Sequence, residues 1–422
     1  MRILVVGGGG REHALAWKLA QEAEVIVAPG NPGIAQDAET VPIPVTDQDA
    51  LIRLALDRQV DLVVVGPEDP LIAGLADRLR EAGVPTFGPG ALGAKLEGSK
   101  AFSKELMFEA GVPTAEFLSF HNANEAKTYA RERFADGRPV VVKASGQALG
   151  KGVTVCDTID EAEAAIDAMM VERVFGDAGT QVVVEERLQG FEFSLLTIVG
   201  DHNFVSLPVA QDYKRAHDGD LGPNTGGMGT YSPVAAVTHE LVREAEERVV
   251  APVLRRLNEL GYTYRGVLFS GLMVDGDDLR CLEYNVRFGD PETQTVMHRI
   301  GTGLARALYQ SATGEIIEAP EVKDNAAVTV VVASGGYPGE IIRGLPVDLS
   351  GLRSDVKAFH AGTKLIDGQL VTNGGRVFAI TADGATLDDA RERAYAGAEA
   401  VRFDSAFFRR DIAFPDRGST PT

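Results

Sequence analysis

Short unbroken apolar runs alternate with amphipathic stretches over residues 1 to about 100. Residues 3–6, 25–28 and 62–65 are continuous apolar runs, and a shorter one lies at Thr86 and Phe87. Runs apolar on both faces suit strands covered on both sides, and helical patterns from about Arg11 and over 47–58 supply the covers. This predicts a parallel sheet that binds ligands at the carboxyl ends of its strands. The first run ends in Gly7-Gly8-Gly9-Gly10 and the third in Gly66-Pro67-Glu68-Asp69-Pro70.

Beyond residue 101 the pattern turns to hairpins. A helix over 99–110 stops at Gly111. Strands over 139–143 and 153–156 flank a glycine-rich tip at 144–152. A helix over 160–174 and a strand over 181–184 follow, the strand ending in Glu185-Glu186-Arg187-Leu188, and another strand covers 193–199. A strand over 207–215 carries Asp212, Lys214 and Arg215 at its end. Residues 218–232 hold too much glycine for a helix or regular strand and are expected to be a long ordered loop, which is usually functional. A helix over 239–260 leads to a hairpin of 265–274 and 279–284, and a further helix runs to about Thr313. The polar, acidic stretch 314–325 reads as a boundary before a small α/β unit, with strands at 326–333 and 376–381 and a helix over 387–402.

The densest chemistry lies in Cys281-Leu-Glu-Tyr-Asn-Val-Arg-Phe-Gly-Asp-Pro-Glu-Thr-Gln294. Glu283 and Asn285 are two apart, so on a strand they share a face, where their oxygens form a half-shell for a hard cation such as magnesium. Arg287 continues that face as an anion fork. Gly289 permits a turn, and Asp290 and Pro291 read as N-cap and first residue of the next helix. The competing reading is a polar strand end closed by a turn. The loop 144–152 with Lys151 is a candidate phosphate lid or a surface hairpin. The glycines before Arg11 are a candidate phosphate site or a tight turn.

Two familiar nucleotide motifs fail. Gly7 and Gly9 fit a dinucleotide fingerprint, but Glu12 takes the place of its third glycine, and no acid ends the second strand. Gly146 to Lys151 has the P-loop spacing only as far as the lysine; Gly152 replaces the Ser/Thr, and a strand follows instead of a helix.

Composition narrows the partners. The chain has 422 residues, 41 Lys plus Arg against 61 Asp plus Glu and a net charge of −20, which argues against nucleic acid. Length predicts about three domains. Cys156 and Cys281 are expected as core residues, not a disulfide. No signal peptide or membrane-length run is seen, so the expected location is the cytoplasm, with no membrane partner. Seven histidines lack paired ligand spacing, so zinc is not expected.

Taken together, the strings Gly9-Gly10-Arg-Glu-His-Ala14, Gly66-Pro-Glu68, Leu96-Glu-Gly-Ser-Lys-Ala101, Gly150-Lys-Gly152, Gln211-Asp-Tyr-Lys-Arg215, Gly222-Pro-Asn-Thr-Gly-Gly-Met-Gly229, Arg287-Phe-Gly-Asp-Pro-Glu292, Phe359-His-Ala-Gly-Thr-Lys364 and Asn373-Gly-Gly-Arg376 resemble the glycinamide ribonucleotide synthetase family of ATP-grasp ligases from end to end. The resemblance implies an N-terminal parallel-sheet substrate domain at 1–101, an ATP-grasp domain at 102–314 with a lid at about 120–190, and a C-terminal α/β domain at 326–422. It implies a monomer that joins glycine to 5-phosphoribosylamine at the expense of ATP, through glycyl phosphate, with Mg2+ or Mn2+. Lys104, Lys143, Gly150, Lys151 and Gly152 would contact ATP phosphates, Glu185, Glu186 and Leu188 would form the adenine hinge, and Glu192 would hold the ribose. Glu283 and Asn285 would bind the metal. Gly9, Gly10, Arg11 and Glu12 would hold phosphoribosylamine. Asn224, Thr225, Gly226, Gly227, Met228, Gly229, Gly289 and Pro291 would wall the substrates, with Asp212, Lys214, Arg287 and Asp290 at the chemistry. Gly8, Ser145, Gln147 and Leu149 depart from the family pattern, and the strand over 266–274 lacks the acid that many ATP-grasp enzymes carry there. A different ATP-grasp ligase, acting on another carboxylate or on bicarbonate, is disfavoured by the strings at 211–215 and 224–229.

Overall fold

The computed structural model describes residues 1–148 and 152–414. At the N-terminus five parallel strands lie in the order Glu39–Thr40, Glu24–Pro29, Arg2–Gly7, Leu62–Val65 and Thr86–Phe87. Ile3, Leu4, Val5 and Val6 are fully buried, as a parallel sheet covered on both faces requires. The central strand runs into helix Gly10–Leu19, which places the glycine turn at the carboxyl edge of the sheet. Glu12 folds back over this turn: Oε2 accepts from the Gly9 amide at 2.7 Å and Oε1 from Arg11 Nε at 2.6 Å. A side chain at Gly7 or Gly66 would come within 2.4 or 2.3 Å of Glu12, so these glycines make room for the carboxylate.

Two antiparallel sheets follow. The first orders Phe117–Phe120, Val182–Glu186, Val140–Ala144 and Val153–Cys156, and its own core contains Ala126, Val142, Ile166 and Val184. The second orders Phe204–Ser206, Phe191–Val199, Gly266–Asp275 and Asp278–Asn285. The expected hairpin is present, with a bulge: Gly271 pairs with Glu283 and Leu272 with Cys281, so Leu282 is the extra residue. Such bulges re-aim side chains near active sites.

A third sheet joins Gln211–Asp212, Gly229–Ser232, Ala326–Ala333, Arg376–Gly384 and Lys357–His360. Ala390, Ala394 and Ala398 of helix Leu387–Ala400 pack on Val328, Val330 and Ile380 beneath it. Two of its strands precede the stretch 314–325, so the C-terminal unit holds part of the middle of the chain within its own sheet.

Four local expectations are corrected. The segment 218–232 contains the strands Leu221–Asn224 and Gly229–Ser232. Pairing and burial override its glycine content; a Cβ at Gly229 would lie 2.6 Å from the Thr329 carbonyl, so the neighbouring strand needs a glycine there. The expected strand over 207–215 shrinks to Gln211–Asp212, because Arg215–His217 leaves to pair with Leu221–Asn224. The helix over 160–174 is α-helical only at Ile159–Ile166 and continues as a π-turn at Asp167–Val171. Pro291 is the N-cap, and the helix is Glu292–Arg299.

Histidines that sequence spacing keeps apart meet in space. The His360 amide donates to His13 Nδ1 at 2.8 Å, which puts the ring hydrogen on Nε2, facing Asp37 Oδ2 at 2.9 Å. Lys357 Nζ joins the same carboxylate at 2.6 Å. Burial, then the neighbouring His13 and Lys357, push His360 down to about 3. The unfolded chain therefore takes up a proton that the native state refuses, and stability falls as pH drops from about 6.5 toward 3. His360→Gln is expected to flatten that acid limb in melting temperature against pH; an unchanged slope would contradict the assignment. Among the described residues no helix is long and apolar enough to cross a membrane.

Candidate active site

A cavity of about 920 Å³ is lined by the Val140–Ala144 sheet, the bulged sheet and the loops that join them. Lys104 comes from helix Lys100–Ala110 and Lys143 from the strand Val140–Ala144. Glu185 bridges them, with Oε1 at 2.5 Å from Lys143 Nζ and Oε2 at 2.8 Å from Lys104 Nζ. Burial alone would raise the Glu185 pKa, but Lys143 and Lys104 outweigh it and hold it below the usual range. Glu185 thus organises the two lysines through its side chain, and Glu186 and Leu188 face the cavity with the apolar Val155, Met273 and Leu282. Gly150 and Lys151 lie outside the described residues. Gly152 lines the cavity, as does Gln147, whose Nε2 donates to Asp69 Oδ1 at 2.8 Å. Ser145 Oγ accepts from the Ala101 amide at 3.1 Å, so two of the residues that depart from the family pattern link the end of the Val140–Ala144 strand to its neighbours.

Glu283 and Asn285 end the strand Asp278–Asn285 and line this cavity. Burial pushes the Glu283 carboxyl up, but Lys143, Lys214, Lys100 and Arg287 together bring it down to about 2. It is therefore ionised, and among the described residues no side chain pairs with it directly. Arg287 is less free than expected. Its Nη2 lies 3.0 Å from Glu97 Oε1 and 3.3 Å from Asn285 Oδ1, and its Nε lies 3.4 Å from Glu68 Oε2. The fork that was expected to hold a substrate anion instead ties the strand end to Glu68 and Glu97.

Asp290 receives Gln294 Nε2 at 2.9 Å on Oδ1 and lies 3.4 Å from Arg376 Nη2 through Oδ2. Burial raises its pKa, and Arg376 and Arg11 more than reverse that. A Cβ at Gly9 would lie 3.9 Å from Asp290 Oδ2, and one at Gly10 would lie 2.8 Å from Gln294 Nε2. The glycine turn and the Arg287–Asp290 turn are thus in near contact. Arg11 turns inward, donating to the Phe288 carbonyl at 3.1 Å, and Glu12 is spent on the turn itself. Of that group, Gly9 and Gly10 face Asp290, while Arg11 and Glu12 brace them.

Asp212 and Lys214 line the opposite wall. Lys214 pairs with Glu192. Burial and then Glu292 raise the Asp212 pKa well above normal, and Asp212 Oδ1 is buried with no hydrogen bond among the described residues. Asn224, Thr225 and Gly226 line the cavity. Gly227 has φ +110, and a Cβ there would strike Pro291 Cδ at 2.4 Å and Asp212 Oδ1 at 2.6 Å, so this wall requires glycine. Met228 and Gly229 lie behind it: Met228 is fully buried and its amide donates to the Tyr213 carbonyl at 2.8 Å. Gly289 is pressed on Glu292, 2.4 Å from a Cβ built there. Pro291 accepts a hydrogen bond from Thr230 Oγ1 at 3.2 Å. These four residues shape the wall from behind or from its base.

Residues 1–97, 98–293 and 327–415 match in turn the N domain, the ATP-grasp (A) domain and the C domain of phosphoribosylglycinamide synthetase. The chain belongs to the phosphoribosylglycinamide synthetase family. It is 46% identical over 420 residues to a phosphoribosylamine–glycine ligase of Rhizobium meliloti, covering 98% of each chain. It is 45% identical over 427 residues to one of Escherichia coli O157:H7, again covering 98% of each. The crystal structure of phosphoribosylamine–glycine ligase from Thermotoga maritima superposes with a TM-score of 0.86 at 35% identity, over 98% of this chain and 100% of that one. A Campylobacter jejuni biotin carboxylase shares the fold alone, with a TM-score of 0.73 at 14% identity over 99% of this chain and 96% of that one. The chain is a multidomain α/β ATP-grasp ligase.

In this phosphoribosylglycinamide synthetase site, Glu68, Glu97, Lys100, Glu292 and Arg376 were not singled out from sequence. Each lies inside a family string, which was the available signal. Arg376 arrives from the C-terminal unit and donates through Nη1 to the carbonyls of Gly226 at 2.5 Å and Asp290 at 2.6 Å. Its role depends on a long-range contact that no local pattern shows.

Proposed function

We propose that the chain joins glycine to 5-phosphoribosylamine, converting ATP to ADP and phosphate through glycyl phosphate, as a step of purine synthesis. The observation that carries this is Glu283, ionised and with no side-chain partner for its carboxylate among the described residues, set among Lys143, Lys214 and Lys100 on the strand that leads to Asp290. Polyphosphate charge fits Lys100, Lys104, Lys143 and Lys214. The adenine fits beside Glu186 and Leu188, and Glu192 reaches the ribose.

Glu283 and Asn285 offer hard oxygen donors suited to one divalent cation. Among the described residues no group of three or more His, Cys, Asp or Glu could hold a metal, so phosphate oxygens and water would complete the shell. Gly271 and Phe269 pair with Glu283 and Asn285, so the neighbouring strand adds no second acid there. Bound there, Mg2+ or Mn2+ would neutralise phosphate charge.

Glycine's ammonium fits beside the Asp212 carboxylate, which lines the cavity, leaving its own carboxylate to face the γ-phosphate. A carboxylate oxygen attacks phosphorus as the bond to ADP breaks. The amine then attacks the acyl carbon, phosphate departs with that oxygen, and Asp290, held ionised near the Gly9–Gly10 loop, accepts the amine's proton. Asp212→Asn is expected to raise the glycine KM about 10- to 100-fold with little change for ATP, the cost of a hydrogen bond to a charged group. Equal KM values would contradict this placement. The reading also includes a cytoplasmic monomer.

The experiment is ADP release with glycine, with and without freshly generated phosphoribosylamine. Release that requires glycine and rises with phosphoribosylamine supports the reading. Release indifferent to glycine, or dependent on another carboxylate, overturns it.

A further inference from the structure

We propose that Arg409, remote from the reacting atoms, is a positioning residue for the substrate wall. It fixes the hairpin of Arg215–His217 and Leu221–Asn224, and with it Lys214 and Thr225 at the hairpin's base. The inference rests on the ligase reading.

The hairpin has little to hold it in place on its own. Its strands have three and four residues, and Leu221, Gly222 and Pro223 are exposed. A two-stranded hairpin without further support is marginal in water. Yet Arg215, Asp220, Asn224 and Thr225 line the cavity, and Thr225 donates to the Lys214 carbonyl through both its amide and Oγ1 at 2.8 Å. Where the hairpin stands therefore sets where Lys214 and Thr225 stand.

The C-terminal segment grips the hairpin at its tip. Arg409 is 1% exposed and ranks among the largest fully buried side chains of the protein. Its Nε and Nη2 form a bidentate pair with Asp411, both at 2.8 Å. Its Nη1 reaches out to Asp220 Oδ1 at 2.8 Å and to the Arg215 carbonyl at 3.0 Å. The guanidinium also stacks over Tyr213 at 4.8 Å from the ring centroid. Asp411 Oδ2 in turn accepts from the Gly219 amide at 2.8 Å, and Asp218 Oδ1 accepts from the Arg410 amide at 2.7 Å. One planar fork thus joins Tyr213, the Arg215 strand start and the Asp220 tip to the C-terminal segment. A buried apolar residue would stabilise the fold as well, but it could not hold a carboxylate and a carbonyl in one fixed geometry.

This gives the C-terminal unit a part in the reaction. Arg376 and the Tyr337 hydroxyl, at 3.0 Å from the Gly226 amide, hold the far end of the same wall. Arg409 holds the near end.

The test compares Arg409→Met, Arg409→Lys and Asp220→Asn with the parent chain. The readouts are KM for glycine, phosphoribosylamine and ATP, kcat, and amide hydrogen exchange across 216–224. Arg409→Met is expected to raise the glycine KM about tenfold, the scale of a small misplacement of a positioning group, and to speed exchange of the hairpin amides while the ATP KM holds. Arg409→Lys, which keeps the charge and loses the fork, should fall between Met and the parent. Asp220 is largely exposed, with 66% of its side chain accessible, so Asp220→Asn should fold and shift the same readouts in the same direction even where Arg409→Met does not fold. Unchanged hairpin exchange and unchanged substrate KM in Asp220→Asn would overturn the proposal, as would glycine and ATP KM values rising in step. If the parent chain shows no phosphoribosylamine-dependent turnover, the ligase reading fails instead, and the exchange data still decide whether Arg409 holds the hairpin.

Discussion

Glu283→Gln is expected to lower turnover by about two to three orders of magnitude, the range lost when a charged group that stabilises the transition state is removed. The fold should persist, because Glu283 pairs directly with no side chain among the described residues. Its carboxylate is held down to about 2 by the surrounding lysines and Arg287 against the cost of burial. Glutamine keeps the shape and removes the charge, so a cation shared with the polyphosphate loses its anionic protein ligand. The check is kcat at saturating ATP and at limiting magnesium, beside a melting curve. Turnover equal to that of the parent at limiting magnesium would remove Glu283 from the metal site.

Arg287→Met should reduce both stability and activity. It takes the guanidinium from Glu97 and Glu68, part-buried acids now 3.0 and 3.4 Å from one of its nitrogens, and leaves Glu68 only the more distant Arg11. Removing one partner of a part-buried pair of this kind costs about 1–3 kcal/mol. The same change frees the end of the Asp278–Asn285 strand, since Arg287 also donates to Asn285 Oδ1. Arg287→Lys separates the two effects: the charge returns but the fork does not. Denaturation midpoints should recover more than kcat in the lysine variant. Full recovery of both would mean that only charge matters here, and no loss in the methionine variant would contradict the ion-pair geometry.

Much of the architecture follows from local pattern. The buried runs at 3–6, 25–28 and 62–65 could become only a covered parallel sheet, and the period-two spacing of Glu283 and Asn285 survived a bulge because the extra residue, Leu282, precedes both. What local pattern did not show is settled by distant partners. Gly229–Ser232 became a strand because Ala326–Ala333 lies beside it, although its own composition favours a loop. Arg287 reads locally as a free anion fork because its partners Glu68 and Glu97 lie almost two hundred residues or more away. Local pattern puts Glu12 with the substrate, yet Gly7 and Gly66 open a space that draws it inward. Charged residues are the hardest to place, since their roles depend on which opposite charge the fold delivers.

On the proposed reading, glycine's carboxylate meets the γ-phosphate where Glu283, Asn285 and the Asp212 wall converge. The most direct measurement uses glycine labelled with oxygen-18 in its carboxylate, with ATP and phosphoribosylamine, and follows the isotope by mass spectrometry of the released phosphate. One labelled oxygen in phosphate is expected for each glycinamide ribonucleotide formed. Phosphate free of label, with product still accumulating, would contradict it.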